Sequence, residues 1–256
     1  MNALPASRLD GQVVIVTGGS QGVGLGIARA FLDAGATVVT CARSTFDRPP
    51  AARDDDELAR CRHISADVRD ESQIQAVVDA AVAEFGRLDV LVNNAGGQPP
   101  ADTATVSPRF IKSIIDINLT GPMIFAQKAY QAIEKTSGTG SIINISSQTS
   151  LPGSGGGSLA PYGAAKAGLN HMTRSLGRAW GRTVRVNCVS LGWVETEAMV
   201  DLLLKEPGER ERRNADIPVG RMGTPEEIGG ICVFLASPAS AYINGATLWA
   251  DGGGGF

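Results

Sequence analysis

Tyr162 and Lys166 stand four residues apart in the stretch SLAPYGAAKAGLN. Four residues is about one helical turn, so both side chains share a face. A phenol beside an ammonium is a proton-transfer pair: positive charge favours the phenolate, and a free phenol, with a pKa of about 10, exchanges poorly near neutrality. The neighbouring residues are nearly all small, which leaves that face open to something large. A helix that only packed on a core would carry Leu, Ile or Val there. The same spacing also fits a lysine stem laid along a ring at the surface, and two residues alone do not choose between the readings.

A second stretch, TGGSQGVG at 17–24, spaces Gly18, Gly22 and Gly24 as G-x-x-x-G-x-G. It follows an apolar β-branched run and opens a helical pattern. A turn without Cβ atoms lets a diphosphate approach the backbone, and the helix N-terminus offers free N–H groups and a positive dipole end. The alternative is an ordinary tight turn between strand and helix. A P-loop is excluded, because no Gly-Lys-Ser/Thr follows.

The elements that would position these residues alternate along the chain. QVVIVTGG, TVVTCA, CRHISAD, LDVLVNNAG, GSIINISS, TVRVNCVS and ATLWADGG read as strands. GVGLGIARAFLDAG, SQIQAVVDAAVAEFG, MIFAQKAYQAIEK and GAAKAGLNHMTRSLGRAWG read as helices. Such alternation implies a parallel sheet covered on both faces. RSTFDRPPAARDDDELAR is expected to be a surface loop, LPGSGGGSLAP a flexible rim, and the charge-rich run 195–223, with its apolar piece AMVDLLL, a helical lid. No linker divides the 256 residues, so one domain is expected over 1–256.

Composition narrows the partners. The chain is 43% hydrophobic, enough for one large core, and its net charge of −3 contains no long run of one sign. Nucleic acid and anionic membranes are therefore not expected as main partners. MNALPASRLDGQ lacks the apolar core of a signal peptide, and no apolar stretch approaches a bilayer span. Cys41, Cys61, Cys188 and Cys232 are scattered without a C-x-x-C, which points to a reducing, cytoplasmic setting. With only His63 and His171, no His-based metal site is expected.

With these motifs in order, the sequence resembles the short-chain dehydrogenase/reductase family from about Gly11 to Gly252. TGGSQGVG looks like its cofactor turn, NNAG its fourth-strand motif, DINLTG its helix-embedded Asn, IINISS its Ser and YGAAK its Tyr and Lys. The resemblance implies a single-domain, Rossmann-type α/β fold: a doubly wound parallel sheet of about seven strands with helices on both faces. It implies NAD(P)-dependent hydride transfer at a hydroxyl or carbonyl carbon. It makes Tyr162 the general acid/base, with Lys166 and the oxidised nicotinamide lowering its pKa. Ser147 would orient the substrate oxygen, with Ser146 as its rival, and Asn118 would hold a relay water. The cofactor would lie on Gly18, Ser20, Gln21, Gly22, Val23, Gly24, Asp67, Val68, Asn94, Ala95, Gly96, Tyr162, Lys166, Gly192, Val194 and Thr196.

Two departures stand out. Leu191 occupies the family's Pro position, which implies a less rigid loop there. The interval between Ser147 and Tyr162 looks long, with GSGGG as the insertion. At the end of the second strand Ala42 stands where an NAD enzyme of this fold carries an acidic residue, and Arg43 and Ser44 follow. Arg can grip a 2′-phosphate, so NADP(H) is favoured, with NAD(H) the alternative; Gln21, where a basic residue is common in NADP users, argues the other way. The apolar piece of the lid points to a small or medium apolar ketone or secondary alcohol. The alternatives are a 3-oxoacyl-thioester substrate and, outside enzymes, a cofactor-sensing binding protein. The family's habit implies a homotetramer through residues 119–135 and 160–180.

Overall fold

Seven parallel strands form one sheet in the order β3-β2-β1-β4-β5-β6-β7, in a computed structural model that describes residues 8–203 and 208–254, the side chains of 202 and 203 excepted. The strands are β1 (Val13–Thr17), β2 (Thr37–Ala42), β3 (Cys61–Ser65), β4 (Val90–Asn93), β5 (Gly140–Ser147), β6 (Val184–Leu191) and β7 (Thr247–Ala250). Each coincides with an expected run. Because side chains alternate between faces, Val14 and Val16 of β1 join one core while Val13 and Ile15 join the other. β1 pairs β2 on one side and β4 on the other. The winding direction therefore reverses between β1 and β4, and a crevice opens beyond their C-terminal ends.

The first core layer is filled by α1 (Gly22–Asp33) and α9 (Pro225–Ala236). The sequence pattern did not mark α9, whose Gly229–Gly230 pair lowers helix propensity. The contact explains the glycine. A Cβ on Gly229 would lie 2.6 Å from the Ala30 Cβ and 2.8 Å from the Gly26 carbonyl oxygen, so α1 and α9 approach backbone to backbone. A capping box starts α9: Thr224 accepts from Glu227 N and Glu227 accepts from Thr224 N. The opposite layer holds α3 (Glu71–Phe85) and α5 (Gly121–Thr136), with Ile74, Val77, Phe125, Ala129 and Ile133 against the sheet.

Two segments differ from expectation. The loop expected at 43–60 contains a short helix, α2 (Asp55–Ala59), capped by Asp54 and bound by Arg53 to Glu57 and Asp33. α4 (Pro108–Ile115) precedes a π-helical turn, Asp116–Thr120, which runs into α5. Pro122 has no N–H to close an α-helical bond to the Asn118 carbonyl. The ladder widens there, and Gly121 N donates to Asp116 O. α6 (Ala160–Trp180) carries YGAAK. The run 195–223 forms α7 (Glu197–Leu203) and α8 (Glu209–Ala215), its ends joined by a bridge between Val194 and Gly223. Leu204 of AMVDLLL lies outside the described residues.

Candidate active site

The crevice at the strand C-termini is a cleft of about 440 Å³. One end is built from backbone. After β1 the chain turns through Gly18 (φ 66°) into α1, which starts without a side-chain cap and without an acidic residue in its first turn. Its first N–H groups are thus left for an external acceptor. A Cβ on Gly24 would lie 2.1 Å from the Gly18 carbonyl oxygen and 2.4 Å from Asn94 Nδ2, so no other residue fits. Thr17 ties this turn to the β4 exit: its hydroxyl accepts from Asn94 N and Ala95 N, both at 2.9 Å. Thr17 was not singled out in the sequence; a hydroxyl at the last strand residue before the glycines was the available signal.

The other end is built from side chains. Tyr162 and Lys166 project from α6, and Ser147 ends β5. Lys166 is 3% exposed and its Nζ donates to Ile145 O at 2.8 Å, 5.5 Å from the centre of the Tyr162 ring. Burial lowers its pKa to about 8. Burial also pushes the Tyr162 phenol up, while the Ser147 hydroxyl beside it acts in the opposite direction. The expected depression of the phenol belongs to the site with the oxidised nicotinamide beside it; within the protein alone, loss of hydration sets the direction. Between the rival serines, Ser146 donates its hydroxyl to the Lys166 carbonyl at 3.3 Å, whereas Ser147 stands beside the phenol.

Asn118 does not line the cleft. It is fully buried, its Nδ2 donates to Ile114 O and Gly97 O, and its Oδ1 accepts from Gly97 N at 2.9 Å. It thereby holds the Gly96–Gly97 backbone over Lys166. A Cβ on Gly96 would meet Asn118 Oδ1 at 2.5 Å and Lys166 Nζ at 3.3 Å.

Most other expected residues meet along the cleft: Gly18, Gln21, Gly22, Val23, Gly24, Arg43, Asp67, Val68, Asn94, Ala95, Gly96, Gly192, Val194 and Thr196. Ser20 and Ser44 are not among its lining residues. Asp67 is engaged by Arg69, whose guanidinium holds its carboxyl below the usual range. Leu191 ends β6, in register with Ser147 and Ala250, and Gly192 N donates to Ala250 O. The lining also includes Cys41, Ile145, Glu197, Ala198 and Met199, which the motifs did not mark.

A family model described as enoyl-(acyl carrier protein) reductase matches residues 18–254. The chain belongs to the short-chain dehydrogenase/reductase family. As a member it is an NAD(P)-dependent oxidoreductase acting on CH–OH or C=O groups. It is similar to the L-fucose dehydrogenase of Oryctolagus cuniculus, with 36% identity over 96% of this chain and 86% of that one. It is similar to the 3-oxoacyl-[acyl-carrier-protein] reductase of Thermotoga maritima, with 34% identity over 96% of this chain and 98% of that one. A gluconate 5-dehydrogenase from Burkholderia cenocepacia J2315, solved in complex with NADP and tartrate, superposes with a TM-score of 0.83 at 31% identity, covering 97% of each chain. The residues of this short-chain dehydrogenase/reductase fit a dinucleotide: a Cβ-free cradle at Gly18 and Gly24, an uncapped helix start, and a floor closed by Thr17 and Asn94. Among the described residues no helix is long and apolar enough to cross a membrane.

Proposed function

We propose that the protein is an NADP(H)-preferring oxidoreductase of small or medium apolar ketones and secondary alcohols, with Tyr162 as general acid/base. The observation that carries this reading is one cleft with Tyr162, Ser147 and Lys166 at one end and the glycine turn and Arg43 at the other. When bound, the nicotinamide supplies or accepts the hydride. The chain's own side chains handle the oxygen. Ser147 donates a hydrogen bond that orients it. Tyr162 delivers a proton to it as negative charge develops, or removes one in the oxidation direction. Lys166, whose Nζ lies 5.5 Å from the centre of the Tyr162 ring, favours the phenolate and would hold ribose hydroxyls. Asn118 positions the Gly96–Gly97 backbone above it, and a water-borne proton link at that point extends the same role.

The cofactor preference rests on Ala42 and Arg43. Ala42 offers no acceptor to a free 2′-hydroxyl, and the Arg43 guanidinium has no hydrogen bond or ion pair among the described residues. It is available to a 2′-phosphate, for which two charge-assisted bonds are the natural fit. The apolar preference rests on Ala198 and Met199, which α7 brings to the cleft as part of a lid over 195–223. A 3-oxoacyl carrier substrate is less well supported. Arg174, Arg178 and Arg182 are exposed, but the nearest lies eight residues beyond Lys166, about 12 Å along the helix axis. A homotetramer through α5 and α6 is part of this reading, supported by the exposed Met123 on α5. Light scattering at micromolar concentration would return four times the chain mass; a monomer mass would refute the assembly.

The test is turnover on apolar ketones, sugars and 3-oxoacyl thioesters with each dinucleotide. NADPH should exceed NADH in kcat/KM, and Ala42→Asp/Arg43→Leu should reverse the order. A wild type that favours NADH, or fastest turnover on sugars, would overturn the corresponding half.

A further inference from the structure

We propose that His63 and Ser65 are positioning residues that set the dinucleotide preference by fixing the backbone under Arg43. This rests on the reading of Arg43 as the group that meets the 2′-phosphate.

The chain leaves β2 at the edge of the cleft, where a surface loop would ordinarily be mobile. Here three successive carbonyls are tied. Ala66 N donates to Ala42 O at 2.8 Å, Ser65 Oγ to Arg43 O at 3.0 Å, and His63 Nε2 to Ser44 O at 2.9 Å. The β2–β3 pairing ends at Ala42 and Ser65. Beyond that point the two strands no longer match backbone to backbone, and side chains of β3 continue the attachment. Residues 63 and 65 are two apart, so both project from the same side of the strand.

A carbonyl oxygen only accepts, so Nε2 carries a proton. The other nitrogen, Nδ1, lies 2.9 Å from Thr40 Oγ1 and is oriented by it. The Phe46 ring packs edge-on against the imidazole, with centres 4.9 Å apart at 87°. His63 is thus held from two sides while it holds Ser44. The Arg43 side chain is left as the moving part on a fixed base. A guanidinium grips a phosphate through paired, directional bonds, so its base must stay in place. A dinucleotide with a free 2′-hydroxyl makes no such demand on Arg43. The latch therefore acts on one cofactor and spares the other.

The experiment is fluorescence titration of NADPH and NADH against wild type, His63→Ala, Ser65→Ala, His63→Gln and Arg43→Leu. His63→Ala should raise the NADPH Kd about three- to tenfold, the scale of one net hydrogen bond, and the NADH Kd by less than about twofold. Ser65→Ala should act in the same direction. His63→Gln, whose amide can still donate to Ser44 O, should recover most of the loss. Saturated kcat with NADPH should stay at the wild-type value. Equal weakening of both dinucleotides, or no weakening, in His63→Ala and Ser65→Ala overturns the proposal. If Arg43→Leu abolishes an NADPH preference that these variants keep, only the latch is wrong. If wild type and Arg43→Leu bind both dinucleotides alike, the reading of Arg43 fails, and the latch with it.

Discussion

The two ends of the cleft are made of different materials. At the glycine end the cleft wall is backbone: Gly18, Gly24, the open start of α1 and the Thr17–Asn94 tie. At the other end it is side chain: Tyr162, Ser147 and Lys166, half-buried or buried. The first end fails by volume, because a Cβ at Gly24 meets the Gly18 carbonyl oxygen and one at Gly18 meets Asn94 Nδ2 and the Ala95 backbone. The second fails by charge and proton, because the atoms can be replaced at nearly constant shape.

Tyr162→Phe draws the contrast most sharply. It keeps the ring and removes the proton. Turnover should fall by about a hundredfold or more, the usual scale for a lost general acid–base. Cofactor affinity, read by fluorescence titration, should barely change. Near-wild-type turnover would remove Tyr162 from the chemistry.

Lys166→Met tests the cost of the buried charge. The folded pKa of about 8 lies below the ordinary value of 10.5, so the unfolded chain binds more protons between those limits. Wild-type stability should therefore rise from pH 8 to 10.5. Relative to wild type, Lys166→Met should gain up to about 3 kcal/mol at pH 7, less about 1 for the lost bond to Ile145 O, with the gap closing toward pH 10.5. Urea melts across that range measure it. A gap that does not change with pH would show that Lys166 does not titrate there. Turnover in this variant should also collapse.

Gly24→Ala sharpens the other side. One methyl group against the Gly18 carbonyl should cost about 1–3 kcal/mol in stability, the range for overpacking. Both dinucleotides should bind more weakly and by the same factor, since the clash lies under the part they share. Calorimetric melting and paired titrations check it. A selective loss of one dinucleotide would mean that the turn also reads the ribose.

Much of this was legible in the residues. The short β-branched runs located all seven strands, because a parallel strand buried on both faces needs such a stretch wherever it lies. The glycine turn and the YGAAK spacing were readable for the same reason: each works through residues close in sequence. Asn118 was legible as a position but not as an arrangement. Its full set of bonds to Ile114 and Gly97 depends on a π-helical turn that Pro122 imposes and on a loop 21 residues away.

What the chain determined by itself was the order of elements, the Cβ-free turn after β1 and the one-turn spacing of Tyr162 and Lys166, all set by local periodicity and backbone freedom. Tertiary structure alone decided three things. It let Gly229 serve as a helix residue, because its place against Gly26 and Ala30 rewards the absent side chain more than propensity penalises it. It set the pKa directions of Tyr162 and Lys166, because hydration is lost only when the cleft closes around them. And it brought His63 and Ser65 under Arg43, some twenty residues away, because parallel pairing of β2 and β3 places them there.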